Sequence, residues 1–489
     1  MKGSKIRAAL WWDAALVFVA AAALYTATMC RDVYWYDSAE YAAAAAVWGI
    51  PHPPGYPVYV LLGHLLTWLP MEPALAANWL SAVSGGGAVA GLYALCRCSG
   101  QPRCASMVAS GVLALAGAVW GNARVAEVYT PALAVLAGVW WLLVDGLLRA
   151  RPWRVLQAAL VAGMGLGIHL SIATCGLGFV YLVAITGRRT GAAGGGSTVA
   201  GGAPQPRTVP RLLALSTVTA LAGSAVFGLL PLRSAHEPAI NMLTPNTVER
   251  FFWLVTGGNY RTWWTSEPLW RSLGTVVEKL VVQWGPLGAT LLLVGAWYLV
   301  RERRILAAAI GLGALGNIGF FARYRVHDLE VFLLPTVFLG AWVAGFGVQA
   351  LVERCARRPA TAMLSRLAWM GPLVWLLATL VMRYPRMDLS TDRSAGDYGR
   401  MLVASLPRGA VILTYSMPQE WRYHAVFAHY FQAARGERPD VKVVTYLPHR
   451  LVLRLLAEQR PVYAYANVSP LGRHFRLIPE GPLFRVAWK

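Results

Sequence analysis

Long apolar runs separated by short polar segments dominate the chain up to about residue 382. A transmembrane helix needs roughly 20 consecutive, mostly apolar residues. Eleven runs approach that length: 9–29, 74–96, 104–121, 131–148, 155–173, 175–187, 211–231, 284–300, 305–322, 330–350 and 366–382. The pattern predicts a polytopic, mainly α-helical membrane protein with about eleven transmembrane helices, of which the 175–187 segment is the shortest.

The pattern changes after residue 383, where short β-like stretches alternate with helical ones. Strand patterns at 409–415, 441–447 and 462–466 are separated by helical patterns at 421–434 and 450–459. This alternation is typical of an α/β unit with a partly parallel sheet. We therefore expect a transmembrane domain over residues 1–383 and a small α/β domain over residues 384–489.

The composition supports a membrane protein. The chain has 489 residues, of which 57% are hydrophobic and only 14% are charged, with a mean hydropathy of +0.47. Soluble domains carry about 25% charged residues, so a soluble globular enzyme is excluded. Its six cysteines lie in or beside apolar stretches, which argues against a disulfide framework.

The net charge of +21 reflects topology and not a nucleic-acid-binding surface. Lysine and arginine concentrate in alternate segments between the apolar runs, starting with the amino-terminal segment. Basic loops stay in the cytoplasm, so we expect the amino terminus inside, the C-terminal domain outside, and no nucleic-acid partner. We expect the glycine-rich linker at 188–210 to be cytoplasmic, and the whole protein to lie in a bacterial-type cytoplasmic (inner) membrane.

The first external loop, residues 30–73, carries the most informative polar residues. Asp37 and Glu40 lie at the start of an alanine-rich helical stretch, where ionisable groups near a membrane are costly and often functional. The same pair also fits a capping box, with Asp37 as N-cap and Glu40 three residues later. The following HPPGYP segment, with His52 and Tyr56, should be a rigid turn, and 57–70 should form an interfacial helix.

These motifs carry a family resemblance. The segments are DSAE (37–40), HPPGYP (52–57), NWLSA (78–82), WGNARVAEVY (120–129), GIHLS (167–171), LPLRS (230–234), HDLEVFLLP (327–335) and 396–444. Together they resemble the GT-C membrane glycosyltransferases, and most closely the protein O-mannosyltransferase-like family first catalogued as a domain of unknown function. One departure is the Tyr415-Ser416-Met417 stretch, where we expect an acidic residue after the first strand of the C-terminal domain.

The resemblance implies a polyprenyl-phosphate sugar donor, such as a mannose donor, and inverting transfer to a hydroxyl of a protein, glycan or lipid acceptor. Such chemistry needs a carboxylate base, for which Asp37 is our candidate, with Glu40 as its partner. It also needs cations that stabilise the departing phosphate. The remaining candidate substrate-binding residues are His52, Tyr56, Arg124, Glu127, His169, Arg233, Arg323, Arg325, His327 and Asp328.

Several of these residues have a simpler structural interpretation. Arg124 and Glu127 are three residues apart and can pair with each other. Arg323 and Arg325 lie at the end of a span, where basic residues commonly snorkel. His169 lies in an apolar stretch, where a hydrogen-bonded packing role is common. Arginines can bind phosphate without a metal, so we assign no metal ligands and no cofactor, and metal dependence stays open.

Two other classes of protein fit the same features. A transporter or flippase for lipid-linked sugars also needs many spans and buried polar groups, but such proteins often show internal hydropathy repeats, which this sequence lacks. A non-catalytic membrane assembly protein is the third class. Replacing Asp37 with asparagine separates them, since an enzyme loses transfer whereas a scaffold does not.

Overall fold

A computed structural model describes residues 2–193, 208–326, 328–356, 370–413, 426–444, 449–464, 469–481 and 483–489. The first 356 residues are mostly helical, and we number the helices α1 to α16 in chain order. They are α1 Lys2–Thr28, α2 Ser38–Val47, α3 Pro57–Leu66, α4 Pro73–Cys98, α5 Arg103–Ala114, α6 Gly117–Asn122, α7 Tyr129–Leu148, α8 Pro152–Leu166, α9 Gly176–Ala193, α10 Thr208–Ser224, α11 Leu229–Ser234, α12 Val248–Val255, α13 Leu269–Glu302, α14 Arg304–Phe321, α15 Leu329–Phe332 and α16 Leu334–Ala356.

The remaining elements belong to the C-terminal part of the chain. Its helices are α17 Met370–Met387, α18 Ser394–Ser405, a helix over 426–434, α19 His449–Ala457 and α20 Ser469–His474. Its strands are β1 Val411–Leu413, β2 Lys442–Val444, β3 Val462–Ala464, β4 Phe475–Glu480 and β5 Leu483–Trp488. Short 3-10 helices at Leu170–Cys175, Ala225–Gly228 and Gly258–Trp263 complete the described elements.

Each predicted apolar run corresponds to a described helix. Eight helices in the described part of the chain are long and apolar enough to cross a membrane, which makes this an integral membrane protein. The 175–187 run, which looked short, extends through the preceding 3-10 turn into an apolar segment of 21 residues, Leu170–Thr190. The runs at 104–121, 155–173 and 366–382 correspond to α5 with α6, to α8, and to α17.

One long helix contains a break that the sequence pattern did not predict. Helix α13 begins at Leu269, well before the predicted 284–300 run, and kinks where Gly285 adopts φ +65 ahead of Pro286. Proline removes a backbone donor and clashes with the preceding turn, and glycine accepts the positive φ at that position. The apolar run at 284–300 is therefore the second half of a longer, kinked helix.

The C-terminal part forms the partly parallel sheet that the alternating pattern predicts. The strand order is β2-β1-β3-β5-β4, and β1 pairs in parallel with both β2 and β3. The antiparallel pair β4–β5 was missed, although its two stretches flank a Gly-Pro sequence at 481–482, a dipeptide that favours turns. The glycine-rich linker lies mostly outside the described residues, as do 415–417 and the start of the predicted 421–434 helix.

The first loop is fixed to the helices that surround it. The amide of Asn78, near the start of α4, donates to the carbonyls of Cys30 and Asp32 at 2.9 and 3.0 Å. Asn78 is fully buried, so its two donors hold the start of the loop against α4 at a position where an apolar residue could not. The loop then continues into α2 and, through the HPPGYP turn, into α3.

Candidate active site

Asp37 and Glu40 lie at the beginning of α2, but they do not form the capping box. Asp37 occupies the N-cap position with helical backbone angles (φ −71, ψ −12), and its side chain makes no capping hydrogen bond. A capping residue normally has extended angles, which aim its side chain at the first free amides. The capping hypothesis for this pair is therefore wrong. Asp37 has helical backbone angles, so its side chain does not cap α2, and the Glu40 carboxylate binds His52.

Glu40 is instead bound to His52, twelve residues further along the chain. One carboxylate oxygen accepts from the backbone N–H of His52 at 2.9 Å, and the other lies 2.6 Å from His52 Nδ1. Both side chains are buried. A buried carboxylate is costly unless it is hydrogen-bonded, and this two-point contact supplies the bonds. The DSAE and HPPGYP segments, both selected from the sequence, are thus joined by a direct contact between their side chains.

The other face of the His52 ring points to two tyrosines and to Asp37. His52 Nε2 lies 3.0 Å from the Tyr56 hydroxyl, 3.4 Å from the Tyr41 hydroxyl and 3.7 Å from Asp37 Oδ2. The contact with Glu40 assigns the ring proton of His52 to Nδ1, which donates to the carboxylate. In this tautomer Nε2 is the hydrogen-bond acceptor of the ring. Asp37, Glu40, His52 and Tyr56 therefore form one polar cluster.

The HPPGYP turn gives Tyr56 an unusual backbone. The Pro53–Pro54 peptide is cis, and Tyr56 has a left-handed conformation at φ +44 directly before α3. This conformation is uncommon for an aromatic residue, and such backbones are enriched at functional sites. The Tyr260 hydroxyl donates to the Pro53 carbonyl at 3.2 Å, which ties the turn to the 3-10 helix at Gly258–Trp263.

His169 closes the cluster on the side of an aromatic wall. Its ring is parallel to that of Tyr56 at 6.2 Å, and it also contacts Tyr129 and Phe332. Its Nδ1 bonds Ser171, at the start of the 3-10 helix. His169 thus has the hydrogen-bonded packing role, with its ring beside the polar cluster, and its role in substrate binding stays a prediction.

Glu127 and Asp328 add two more carboxyl groups to this region. Burial raises the pKa of Glu127 well above its usual value, and the neighbouring Asp37 and Asp328 carboxylates raise it further. The backbone of Glu127 exchanges hydrogen bonds with the Ser81 hydroxyl, which fixes the loop between α6 and α7. Glu127 therefore lies in the electrostatic neighbourhood of Asp37 and Asp328, and its role in substrate binding stays a prediction.

Arg124 does not pair with Glu127, so that interpretation of their spacing is wrong. Its guanidinium donates to the carbonyls of Met387, at 2.6 Å, and Gly121. Burial lowers the pKa of Arg124. The backbone carbonyl of Arg124 accepts from Cys30 N–H. Arg124 thus ties the end of α17 to the start of the first loop.

Arg233 also binds backbone carbonyls. Its guanidinium donates to the carbonyl of Trp48 at 3.0 Å and lies over the Trp48 ring at 4.7 Å. A cation at the C-terminal end of a helix meets free carbonyls and the negative end of the dipole. Arg233 therefore stabilises the end of α2, the helix that carries Glu40, and this contact occupies the cation that was predicted to bind substrate.

Arg323 and Arg325 differ from these two arginines. Their side chains are exposed, and within the described residues neither makes a side-chain hydrogen bond or ion pair. Their backbones pair with the 263–265 segment, where Thr265 N–H donates to the Arg323 carbonyl and Arg325 N–H to the Trp263 carbonyl. Asp328 follows directly, and His327 lies outside the described residues.

Several residues of the site could not be selected from sequence alone. Tyr41, Tyr129 and Phe332 lie in helices whose apolar pattern hides them among packing residues. Asn78 and Ser81 belong to the NWLSA motif, which pointed to the segment but not to its anchoring role. The helix at 426–434 also packs on α2, and nothing in its sequence indicated that partner.

Among the described residues, Asp37, Glu40 and His52 form a group that could hold a metal ion. One possible ligand atom from each residue lies within 4.8 Å of the other two. Glu40 already binds His52 through both oxygens, and His52 Nε2 is within reach of Tyr56. This donor set is therefore satisfied largely by protein groups, and Asp37 is the member with the most exposed side chain.

Comparison with solved structures defines the fold class. ArnT from Cupriavidus metallidurans matches bound to undecaprenyl phosphate (14% identity, TM-score 0.60, 96% of this chain and 97% of that one) and in the apo state (14%, 0.62, 98% and 98%). The oligosaccharyltransferase of Archaeoglobus fulgidus matches at 12% identity and a TM-score of 0.50, over 92% of this chain and 67% of that one. The chain has the GT-C fold that its motifs indicated.

Comparison of sequences gives the particular relatives. The family model described as "Protein O-mannosyl-transferase TMEM260 N-terminal domain" matches residues 37–191, starting at Asp37. The curated mouse (Mus musculus) "Protein O-mannosyl-transferase TMEM260" is 24% identical over 88% of this chain and 62% of its own length. The chain thus spans 62% of that relative, and its resemblance to the protein O-mannosyltransferase-like family is confirmed.

Proposed function

We propose that this protein is a membrane glycosyltransferase that moves a mannose-like sugar from a polyprenyl-phosphate donor to an acceptor hydroxyl, with inversion. The relative named as a protein O-mannosyl-transferase supports the reaction class, and the ArnT structure with undecaprenyl phosphate supports the donor class. The reaction takes place on the extracytoplasmic side, where the basic-residue pattern puts the first loop. The acceptor is a protein, a glycan or a lipid that presents a hydroxyl group.

The observation that carries this proposal is the contrast between the two carboxylates of α2. The Glu40 side chain is 5% exposed and bonds His52, whereas the Asp37 side chain is 25% exposed and makes no capping bond. A general base must reach the acceptor hydroxyl directly. Asp37 is therefore the base, and Glu40 acts through His52 as a positioning residue.

In the reaction, Asp37 takes the proton of the acceptor hydroxyl. The oxygen of that hydroxyl then attacks the anomeric carbon of the sugar. The bond between that carbon and the phosphate oxygen breaks, and the electron pair leaves with the lipid phosphate. Once protonated, Asp37 becomes a hydrogen-bond donor. His52 Nε2, 3.7 Å away, is an acceptor within reach of a small side-chain adjustment, and Glu40 stabilises any positive charge that develops on that ring.

The leaving phosphate needs cationic partners at the same time. Arg124 and Arg233 are engaged by backbone carbonyls, so Arg323 and Arg325 are the candidates that a ligand reaches without breaking a protein contact. Guanidinium groups bind phosphate through charge-assisted hydrogen bonds. We assign the donor phosphate to these two arginines, and the aromatic wall of Tyr129 and Phe332 to the sugar side of the site.

The test is Asp37→Asn in the full-length protein, with undecaprenyl-phosphate mannose as donor and a serine/threonine peptide as acceptor. General-base assistance contributes about 10²–10⁴-fold, so turnover should fall by that order while donor binding stays within a few-fold. Asp392→Asn is the control, since Asp392 accepts a backbone bond from Ser394 that asparagine also accepts.

Near-normal turnover of Asp37→Asn contradicts the assigned base. Net movement of the intact lipid-linked sugar without transfer, by the unmodified protein in vesicles, favours a flippase. Binding of partner proteins without either reaction, unaffected by Asp37→Asn, favours an assembly role.

A further inference from the structure

His169 caps the 3-10 helix at Leu170–Cys175 with its own ring. The Ser171 backbone N–H donates to His169 Nδ1 at 3.2 Å, and the Ser171 hydroxyl lies 2.7 Å from the same nitrogen. A ring nitrogen that accepts from a backbone N–H carries no proton, so this hydrogen-bond network assigns the ring proton to Nε2. The helix cap therefore makes His169 a hydrogen-bond donor at Nε2.

This Nε2–H group is left without an acceptor in the part of the chain that the structure describes. Every hydrogen bond of the His169 ring to the described residues involves Nδ1. The residue is only 6% exposed, but Nε2 is not among the unpaired polar atoms that are sealed from solvent. The small exposed part of this buried ring thus includes its free donor. Leaving such a donor unpaired costs free energy, so a ligand that presents an acceptor there gains a hydrogen bond.

Three aromatic rings contact the His169 ring. Its centroid lies 6.2 Å from that of Tyr56, with the two planes parallel, 5.0 Å from Tyr129 and 5.9 Å from Phe332. Apolar walls with a few placed polar groups are typical of small-molecule sites. A sugar ring matches this one, because it has C–H groups on its faces and hydroxyl oxygens at its edge. A phosphate is bound better by charged donors such as guanidinium groups.

Tyr56 lies between this histidine and His52, which has the opposite tautomer. His52 donates to Glu40 from Nδ1 and accepts at Nε2, which is 3.0 Å from the Tyr56 hydroxyl. His169 accepts at Nδ1 and donates at Nε2. The polar cluster thus presents proton acceptors on the side of the first loop and a neutral donor on the side of the 3-10 helix.

A buried hydrogen-bond chain holds the 3-10 helix in place behind His169. The Asn317 amide donates to Thr174 Oγ1 at 2.9 Å and to the Phe332 carbonyl at 3.0 Å. Thr174 Oγ1 in turn donates to the Ser171 carbonyl at 2.6 Å. Asn317 is fully buried. One amide of α14 therefore fixes both the helix that His169 caps and the Phe332 segment of the aromatic wall.

We propose that His169 is a specificity-determining residue of the donor site, and that its Nε2–H donates a hydrogen bond to a hydroxyl of the donor sugar. This inference rests on the proposed function, because it assigns a task in binding the same lipid-linked sugar. The bond requires the sugar and not the lipid phosphate. Its loss should therefore weaken the binding of undecaprenyl-phosphate mannose without weakening the binding of undecaprenyl phosphate.

Two substitutions separate the roles of the two ring nitrogens. Asparagine is a good N-cap whose oxygen replaces Nδ1, but its short side chain does not reach the position of Nε2. Glutamine loses the cap, and its amide N–H reaches that position. His169→Asn therefore removes the donor and keeps the cap, whereas His169→Gln keeps the donor and removes the cap. His236→Asn is the control, since His236 is an exposed histidine whose Nδ1 bonds the Leu232 carbonyl.

Equilibrium binding of both lipids to the full-length variants measures the effect. A neutral hydrogen bond contributes up to about tenfold in affinity. His169→Asn should therefore weaken the binding of undecaprenyl-phosphate mannose about five- to tenfold and leave undecaprenyl phosphate within about twofold. His169→Gln should recover most of the lost affinity, and His236→Asn should change neither. Normal binding of undecaprenyl phosphate also shows that each variant is folded.

Two results overturn the proposal. Equal losses for the two lipids mean that His169 acts on the phosphate or on the fold, and unchanged affinity for both means that Nε2 binds no part of the donor. Binding needs no turnover, so these results are separate from the test of Asp37. If Asp37→Asn leaves turnover unchanged, the proposed base is wrong regardless of the outcome at His169. If the unmodified protein binds neither lipid, the proposed donor class is wrong, and this inference with it.

Discussion

The proposed site has two halves. The carboxylates of the first loop form the proton-accepting half, and the two exposed arginines after α14 form the phosphate-binding half. Glu40 and His52 are buried and bonded to each other, with Asp37 at the edge of the same cluster. Arg323 and Arg325, in contrast, have exposed side chains. If the proposed function is right, the proton-accepting half is held by contacts within the protein, whereas the phosphate-binding half presents exposed arginines to its ligand.

The largest stability effect should come from removing Glu40, because the buried half has the most to lose. Glu40→Ala leaves both N–H groups of His52 buried without their acceptor, and breaking a buried pair costs about 3–5 kcal/mol. Denaturation of the purified protein measures this loss. Glu40→Gln keeps one acceptor oxygen, so its cost should be smaller, and its effect on turnover should stay below that of Asp37→Asn.

Glu72→Ala is the matched control for that prediction. Glu72 is an exposed residue at the end of the same loop, paired with Arg435. Exposed pairs contribute about 0–1 kcal/mol, so Glu72→Ala should shift stability only slightly. Comparable losses in the two variants would show that burial does not distinguish Glu40, and the contrast between the two halves of the site would fail.

The same contrast explains which parts of the molecule the sequence predicts. Membrane helices are visible as apolar runs because lipid demands them. Eight described helices are long and apolar enough to span a membrane, and the count of eleven stays a prediction. The half of α13 before Gly285–Pro286 was missed because Glu278, Lys279 and Gln283 interrupt the apolar pattern there, so the predicted run starts only at residue 284. In the C-terminal part, the hairpin β4–β5 was missed because Arg476, Pro479 and Arg485 interrupt its apolar positions, which makes the strand pattern weaker than the apolar runs around β1 and β3.

The candidate site was predicted in part, for a physical reason. Glu40 and His52 were both selected, but their contact spans a turn whose geometry local rules do not give, so the sequence left a capping box open as an alternative role for Asp37 and Glu40. Arg124 and Arg233 were selected as phosphate ligands because a sequence shows a cation but not its acceptor. A backbone carbonyl at a helix end and a phosphate oxygen both satisfy a guanidinium, and only the fold distinguishes them.

The exposed half of the site gives the next largest prediction. If Arg323 and Arg325 hold the donor phosphate, replacing either with glutamine removes a charge-assisted contact worth about 1.5–3 kcal/mol, which is tenfold or more in affinity. Equilibrium binding of undecaprenyl phosphate measures this change. Stability should barely change, since within the described residues neither side chain has a partner to lose.

Arg271→Gln is the control for an exposed arginine near the same segment, since Arg271 pairs with the exposed Glu267 and lies over the Trp270 ring. Its donor affinity should stay unchanged. If Arg323→Gln and Arg325→Gln also bind undecaprenyl phosphate normally, the two arginines are snorkelling residues, and the phosphate must be held elsewhere in the site.

The smallest prediction concerns Glu127, which lies between the two halves. Burial and the Asp37 and Asp328 carboxylates raise its pKa, so the folded protein keeps a proton that the unfolded chain loses above a pH of about 4.3. The unfolded state therefore binds fewer protons, and this group lowers stability as pH rises, by at most about 1.4 kcal/mol per pH unit. The stability that the proton supplies is fully present below that pH and is lost as pH rises towards the folded-state pKa.

Glutamine resembles the protonated carboxyl at every pH, which makes Glu127→Gln the direct test. The variant should match the unmodified protein in thermal stability near pH 4.5 and exceed it by about 1 kcal/mol or more near pH 7, where the unmodified protein bears the cost of the raised pKa. Glu249→Gln, at an exposed glutamate, should show no such divergence. A Glu127→Gln advantage that is the same at both pH values would mean that packing, and not the neighbouring Asp37 and Asp328 charges, sets the behaviour of this group. Glu127 would then no longer link the carboxylate cluster of the first loop to the segment that carries the arginines.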